Sequence, residues 1–194
     1  MLNIVLFGPP GAGKGTQSQN IIDKFDLIHI ATGDLFRKHM SEDTPLGLKA
    51  KSYINAGNLV PDEVVIGMVE DRISETKGAS GYIFDGFPRT VIQAQSLDTI
   101  LQKHEISISA MIALEVPQEE LKARIKERAK TSGRVDDQDE EKINNRIKVY
   151  FDETAPVADF YRKQEKFHSV NGVGSISDIA KEIETLISSV KVAP

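Results

Sequence analysis

The chain has 194 residues, 40% hydrophobic and 27% charged, the balance of a folded globular domain rather than a disordered segment. Its 24 lysines and arginines against 29 aspartates and glutamates give a net charge of −5, which argues against a general nucleic-acid binder and leaves only a local basic cleft for polyanions. Cysteine is absent, so disulfides, thiolate zinc sites and cysteine nucleophiles are excluded together, and a reducing compartment suits the chain.

The first element is an apolar run over 2–7, LNIVLF, which reads as a strand buried on both faces. It is too short for a membrane span, which needs about 20 residues. It also has no basic leader, and a glycine-rich turn follows it, so a cytoplasmic protein with no membrane partner is expected. That turn is Gly8-Pro9-Pro10-Gly11-Ala12-Gly13-Lys14-Gly15-Thr16. It has the G-x-x-x-x-G-K spacing of a phosphate-binding loop. Glycines let backbone amides wrap an anion, the next helix (14–25) points its positive end at it, and Lys14 adds a full charge. The strict loop has Ser or Thr directly after the lysine; here that position is Gly15 and the hydroxyl is Thr16. A dinucleotide G-x-G-x-x-G is not formed, because the third glycine position is Thr16.

A second strand over 27–30 leads into Thr32-Gly33-Asp34-Leu35-Phe36-Arg37. Taken alone, this block is structural: Thr32 is placed to cap the next helix, and Asp34 and Arg37, three apart, to form a surface ion pair. Helical spacing follows over 33–42, 45–57 and 62–76, the last starting after Pro61. Three helices over about 50 residues exceed an ordinary crossover between strands, and the surplus suggests an insertion that closes over a substrate. A third strand over 81–84 ends at Asp85-Gly86-Phe87-Pro88-Arg89. An Asp at a strand end beside a phosphate loop is where a magnesium-shell carboxylate sits. The other reading is an Asp-Gly hairpin turn, which Pro88 and the helical pattern over 90–104 disfavour.

A fourth strand is predicted over 108–116 and a helix over 118–130, after Pro117. Arginine is scarce, eight against sixteen lysines, yet Arg124, Arg128, Arg134 and Arg146 fall within one stretch. A solvated charged helix pair explains them in isolation. Beside a phosphate loop they suit a clamp, because guanidinium forks match phosphate oxygens. Asp136 and Asp137 adjoin them and orient arginine rather than act as acid and base. A long helical pattern over 139–163 contains Pro156, which should kink or divide it. A fifth strand over 166–170 and a helix over 176–190 complete the chain. His29, His39, His104 and His168 are scattered without ligand spacing, and no G-x-S-x-G elbow marks a serine hydrolase.

Strand–helix alternation predicts a parallel sheet with helices on both faces and a ligand at the carboxyl ends of the strands. The ordered blocks GPPGAGKGT, TGDLFR, GNLVPDE, DGFPRT, RIKER, GRVDD and TAPV resemble the adenylate kinases over essentially the whole chain. Gly15 after the lysine is that family's habit. The resemblance implies an α/β P-loop kinase fold: a five-stranded parallel sheet covered by helices on both faces, with a helical NMP-binding insertion over 31–60 and a short LID loop over 128–138. The core would be 1–30, 61–127 and 139–194. The implied reaction is ATP + AMP ⇌ 2 ADP with Mg²⁺, in a monomer.

Carried over by position, Gly11, Ala12, Gly13, Lys14, Gly15 and Thr16 would hold the ATP phosphates, with Lys14 on the transferring group. Arg124 and Arg128 would clamp the ATP side, and Gly174 would meet the ATP base. Thr32, Arg37, Asn58, Leu59, Val60, Gly86, Phe87, Pro88, Arg89 and Gln93 would form the AMP site. Arg134 and Arg146 would reach the phosphates between the nucleotides, and Asp85 would be the outer-shell magnesium carboxylate. The interval from Asp136 to Arg146 is one residue longer than in several relatives. The LID is the short kind and the chain has no cysteine, so no structural zinc is expected. The nearest rival is a UMP/CMP kinase; in that family an Ala or Ser replaces Thr32 and an Asn replaces Gln93. A P-loop kinase of a small metabolite and a non-catalytic nucleotide switch are more distant. The switch would read guanine through an N-K-x-D loop, which is not found.

Overall fold

The computed structural model describes residues 1–76 and 78–190. Lys77 and residues 191–194, which belong to the expected core, lie outside the described residues. Strands β1 (Leu2–Phe7), β2 (Ile28–Ala31), β3 (Gly81–Asp85), β4 (Ala110–Glu115) and β5 (Phe167–Asn171) pair in parallel in the order β2-β3-β1-β4-β5. The apolar runs are continuous because both sheet faces are covered and side chains alternate between them. From β1, Val5 and Phe7 enter one core cluster and Ile4 and Leu6 the other. From β4, Met111 and Ala113 separate from Ala110, Ile112 and Leu114 in the same way.

The helices are α1 (Lys14–Phe25), α2 (Thr32–Ser41), α3 (Pro45–Ala56), α4 (Asp62–Glu75), α5 (Val91–Lys103), α6 (Gln118–Ser132), α7 (Glu140–Val149), α8 (Val157–Arg162) and α9 (Ile176–Ser189). One face of the sheet carries α4, α5 and α8, whose Val65, Val69, Leu97 and Tyr161 are in the first cluster. The other carries α1, α6 and α9, whose Ile21, Leu121 and Ile183 are in the second. Of the three helices between β2 and β3, α2 and α3 pack mainly on each other, with Phe36 and Ala50 joining the first cluster, while α4 packs on α5.

Pro156 divides the long pattern in a particular way. After α7 the chain widens into a π-helical turn, Tyr150–Thr154, in which the Ala155 amide donates to the Tyr150 carbonyl at 2.7 Å. Pro156 has no amide to continue the ladder, so the extra residue is absorbed there before α8 begins. The widened turn brings Tyr150 and Thr154 to the wall of the cleft at the carboxyl ends of the strands. Around that cleft lie the loops after β1, β2 and β3, as expected for a sheet whose connections diverge from a central strand.

Candidate active site

The loop after β1 forms the floor. Gly11 and Gly13 have φ of 86° and 94°, and a Cβ on Gly11 would lie 2.9 Å from the Leu121 carbonyl, so the loop turns tightly against α6. Gly13 precedes α1, whose first turn has neither a side-chain cap nor an acidic residue. Its free amides therefore present positive charge to the cleft. Lys14 Nζ donates to the carbonyls of Gly8 at 2.7 Å and Pro9 at 3.1 Å.

The cleft encloses about 580 Å³. Seven cationic side chains line it, Lys14, Arg37, Arg89, Arg124, Arg128, Arg134 and Arg146, against three carboxylates, Asp34, Asp85 and Asp136. In a chain of net charge −5 this concentration of cations marks a polyanion site. The excess shows in the titration behaviour. Burial, opposed by Asp85 and reinforced by Arg89, Arg146 and Arg128, lowers the Lys14 pKa to about 8. Arg89 lines the cleft and is exposed there, yet the protein packed around it and then Arg146 lower its pKa to about 10. Both shifts are what cations suffer when protein displaces their water and like charges outweigh the nearby Asp85.

The arginines are held by carboxylates. Asp137, with a fully buried side chain, accepts from Arg128 Nε at 2.7 Å and Nη2 at 2.8 Å, and from Arg146 Nη1 at 2.6 Å. Burial acts to raise its pKa, but the hydrogen bonds from Arg128 and then Arg146 prevail and hold it below the usual carboxylate range. Asp136 takes Arg146 Nη1 at 2.9 Å. The expectation that these two aspartates orient arginines agrees with this geometry. Arg124 donates to Glu120 at 2.8 Å, and Arg37 pairs with Asp34 as its spacing predicts. Arg134 approaches the same Asp34 to 3.9 Å, across the cleft from α2.

Thr32 does not cap its helix: Ala31 occupies the cap position and the Thr32 hydroxyl donates to the Gly86 carbonyl at 2.9 Å. The reason is the register. Ala31 pairs with Asp85 across β2 and β3, which sets Thr32 beside Gly86. The same carbonyl accepts from Arg89 Nε at 2.8 Å. Gln93 is buried; its Oε1 accepts from the Arg89 amide at 2.7 Å and its Nε2 donates to Asp62 at 2.8 Å.

The cleft thus gathers the predicted loop residues Gly11, Ala12, Gly13, Lys14, Gly15 and Thr16, and Asp85 at the end of β3. It also gathers Thr32, Arg37, Asn58, Leu59, Val60, Gly86, Phe87, Pro88, Arg89 and Gln93, with the four later arginines. Gly174 is the exception: it lies in the loop between β5 and α9, outside the cleft lining.

A family model described as adenylate kinase matches residues 6–166. The chain belongs to the adenylate kinase family. It is 49% identical over 189 residues to a protein named adenylate kinase from Flavobacterium psychrophilum, covering 97% of this chain and 100% of the relative. A second relative of that name, from Flavobacterium johnsoniae, is 46% identical with the same coverage. A third, from Bacteroides thetaiotaomicron, is 45% identical over 94% of this chain and 96% of its own length. The chain is accordingly a nucleotide-binding kinase, and no helix among its described residues is long and apolar enough to cross a membrane.

Two contacts of this chain had no local sequence signal. Asn145 of α7 donates to the Ala56 carbonyl and to Asn58 Oδ1, both at 2.8 Å, joining α7 to the end of α3. Gly57, at φ 76°, permits this approach, since a Cβ there would sit 2.9 Å from Arg146 Cγ. The other is Asp62, which ties the start of α4 to the start of α5.

Proposed function

We propose that the chain catalyses ATP + AMP ⇌ 2 ADP, with ATP on the loop after β1 and AMP against the ends of β2 and β3. The carrying observation is the convergence of seven cationic side chains from four parts of the chain on one cleft. An AMP phosphate oxygen attacks the γ-phosphorus; that P–O bond forms as the bond to the β-phosphate oxygen breaks, releasing two ADP. The attacking phosphate is already ionised at neutral pH, so no general base is required, and catalysis rests on positioning and charge neutralisation. The loop residues Gly11, Ala12, Gly13, Gly15 and Thr16 hold the donor phosphates, the Ala12 and Thr16 amides being engaged by the Pro9 and Gly13 carbonyls, and Lys14 follows the transferring group. Arg124 and Arg128 clamp the donor, while Arg134 and Arg146 span the phosphates between the two nucleotides. Arg37 and Arg89 take the acceptor phosphate. Thr32, Asn58, Leu59, Val60, Gly86, Phe87, Pro88 and Gln93 surround the acceptor, while Gly174, outside the cleft lining, is assigned to the donor base by the resemblance alone.

Among the described residues no cluster of His, Asp or Glu would hold a metal by itself. Asp85 fits a magnesium ion that arrives with the nucleotide. No hydrogen bond from another described side chain engages its carboxylate, and His29 Nε2 stops 3.9 Å away. Magnesium keeps several waters and binds through phosphates and one or two carboxylates, so Asp85 would accept hydrogen bonds from those waters. Bound there, the ion would supply charge neutralisation for the transferring phosphates.

The test is ADP formation from MgATP with AMP, UMP, CMP, GMP and small-metabolite acceptors. AMP is expected to lead; nucleotide binding without turnover would overturn the reading. The free enzyme needs Lys14 as a cation. Because kcat/KM reports free-enzyme pKa values, kcat/KM for MgATP is expected to fall as pH rises through about 8. In kcat the alkaline limb should lie higher, since bound phosphate favours the charged amine. A kcat/KM profile flat from about pH 7 to about pH 9 would remove Lys14 from this role.

In this reading, residues 31–60 and 128–138 close over the two nucleotides and exclude water, which would otherwise accept the phosphoryl group. The described residues of the remaining segments, 1–30, 61–127 and 139–190, stay fixed in this reading. Two adenosines joined through a phosphate chain are expected to bind far more tightly than either nucleotide alone. The same compound should protect both segments from proteolysis; equal cleavage with and without it would count against the moving parts.

A further inference from the structure

Asp62 opens α4, directly after the stretch Asn58, Leu59, Val60 and Pro61 that ends the acceptor-side segment. Its carboxylate accepts from the Thr90 hydroxyl at 3.1 Å and from Gln93 Nε2 at 2.8 Å. Thr90 in turn caps α5 by accepting from the Gln93 amide at 3.1 Å. The Gln93 side chain is therefore held between two partners of opposite kind. The Arg89 backbone N–H only donates, so it must meet Oε1; the Asp62 carboxylate only accepts, so it must meet Nε2. Turning the amide over would set oxygen against carboxylate and N–H against N–H. One N–H and one lone pair of Gln93 remain unused, and the residue lines the cleft.

We propose that Asp62 is a positioning residue for acceptor-base recognition: it fixes the orientation of the Gln93 amide, and so the order of donor and acceptor offered to the base. This rests on the acceptor site proposed above. A hydrogen-bonding pair discriminates between bases only if its donor and acceptor cannot exchange places. Adenine, with an exocyclic N–H donor beside a ring-nitrogen acceptor, meets a fixed order. Without Asp62, the Arg89 N–H still holds Oε1, but the Nε2 end loses its anchor and the plane of the amide is no longer fixed.

The experiment measures kcat and KM for AMP, CMP and MgATP, with thermal midpoints, in Asp62→Ala, Asp62→Asn, Gln93→Leu and the Asp62→Ala/Gln93→Leu double variant. In Asp62→Ala, KM for AMP is expected to rise about tenfold, the scale of one hydrogen bond to a charged group, with kcat changing less. KM for MgATP should stay near that of the parent, and the preference for AMP over CMP should shrink. Asp62→Asn, which keeps an acceptor oxygen, should restore most of the AMP affinity. In the Gln93→Leu background, Asp62→Ala should add nothing further to KM for AMP, because the effect passes through the absent amide. A lowered midpoint with unchanged KM for AMP would show a purely structural residue and overturn the proposal, as would fully additive effects in the double variant. If Gln93→Leu itself leaves KM for AMP intact, the assignment of Gln93 fails first and Asp62 falls with it. If Gln93→Leu raises that KM and Asp62→Ala does not, the role of Asp62 alone is refuted.

Discussion

Replacing Lys14 by methionine or Arg89 by alanine is expected to lower turnover by about 10²- to 10³-fold each, the usual effect of removing one preorganised donor from a site of developing charge. Neither change should unfold the protein. Lys14 contributes two hydrogen bonds to loop carbonyls, and Arg89 one to Gly86. Against these stands the burden of holding each cation, poorly hydrated, among other cations that outweigh Asp85. For Lys14 the sign is clear. Its folded pKa, about 8, lies below the ordinary 10.5, so folding disfavours its charged form. That penalty is present in full below pH 8 and fades as pH rises toward 10.5. At pH 7 the methionine variant should therefore have a thermal midpoint equal to or above that of the parent, with its activity lost. Calorimetry and a coupled ADP assay check both halves. Turnover near that of the parent would remove the residue from the site, and a collapse of the midpoint would make the loss structural.

What the sequence revealed about this site follows from how local each feature is. The tight glycine-rich loop after β1 was legible because it is contiguous: glycine positions, Lys14 and the start of α1 all lie within nine residues. Asp85 was legible because strand ends can be read from where apolar runs stop. Boundaries were less so. The second strand runs over Ile28–Ala31, one residue later than expected, and the fourth is shorter at both ends. Thr32 shows a local rule losing to a distant one. Its position invites a cap, yet parallel pairing sets it beside Gly86, 54 residues on. Asp62 and Asn145 were not legible as partners of Gln93 and Asn58, at separations of 31 and 87 residues. Such contacts depend on how whole helices are set against one another, which no local spacing records. The arginines fall between these cases. Their clustering is visible in the sequence, but that Asp137 holds Arg128 and Arg146 together emerges only once α6 and α7 are packed.

AMP is expected to exceed UMP and CMP as acceptor by at least about 10²-fold in kcat/KM, because a site built to pair polar groups rejects a base that leaves them unpaired. Two residues carry the expectation. The resemblance assigns Thr in the T-G-D block and Gln after DGFPRT to adenylate kinases, against a small residue and Asn in UMP/CMP kinases; this chain has Thr32 and Gln93. Their surroundings support a rigid reading of the base. The Thr32 hydroxyl is tied to the Gly86 carbonyl, which leaves its oxygen able to accept but not to donate elsewhere. Gln93 retains one donor and one acceptor after its bonds to Asp62 and Arg89, the pair that an adenine edge requires. Gln93→Leu should raise KM for AMP about tenfold or more, while KM for MgATP stays nearly unchanged. It should also lower the thermal midpoint, since Asp62 and the Arg89 amide each lose a partner. The split between the two KM values separates recognition from stability: a weakened fold would affect both nucleotides, whereas a lost base contact affects one. UMP or CMP turning over as well as AMP would overturn the acceptor assignment and favour the pyrimidine-accepting rival with the same fold.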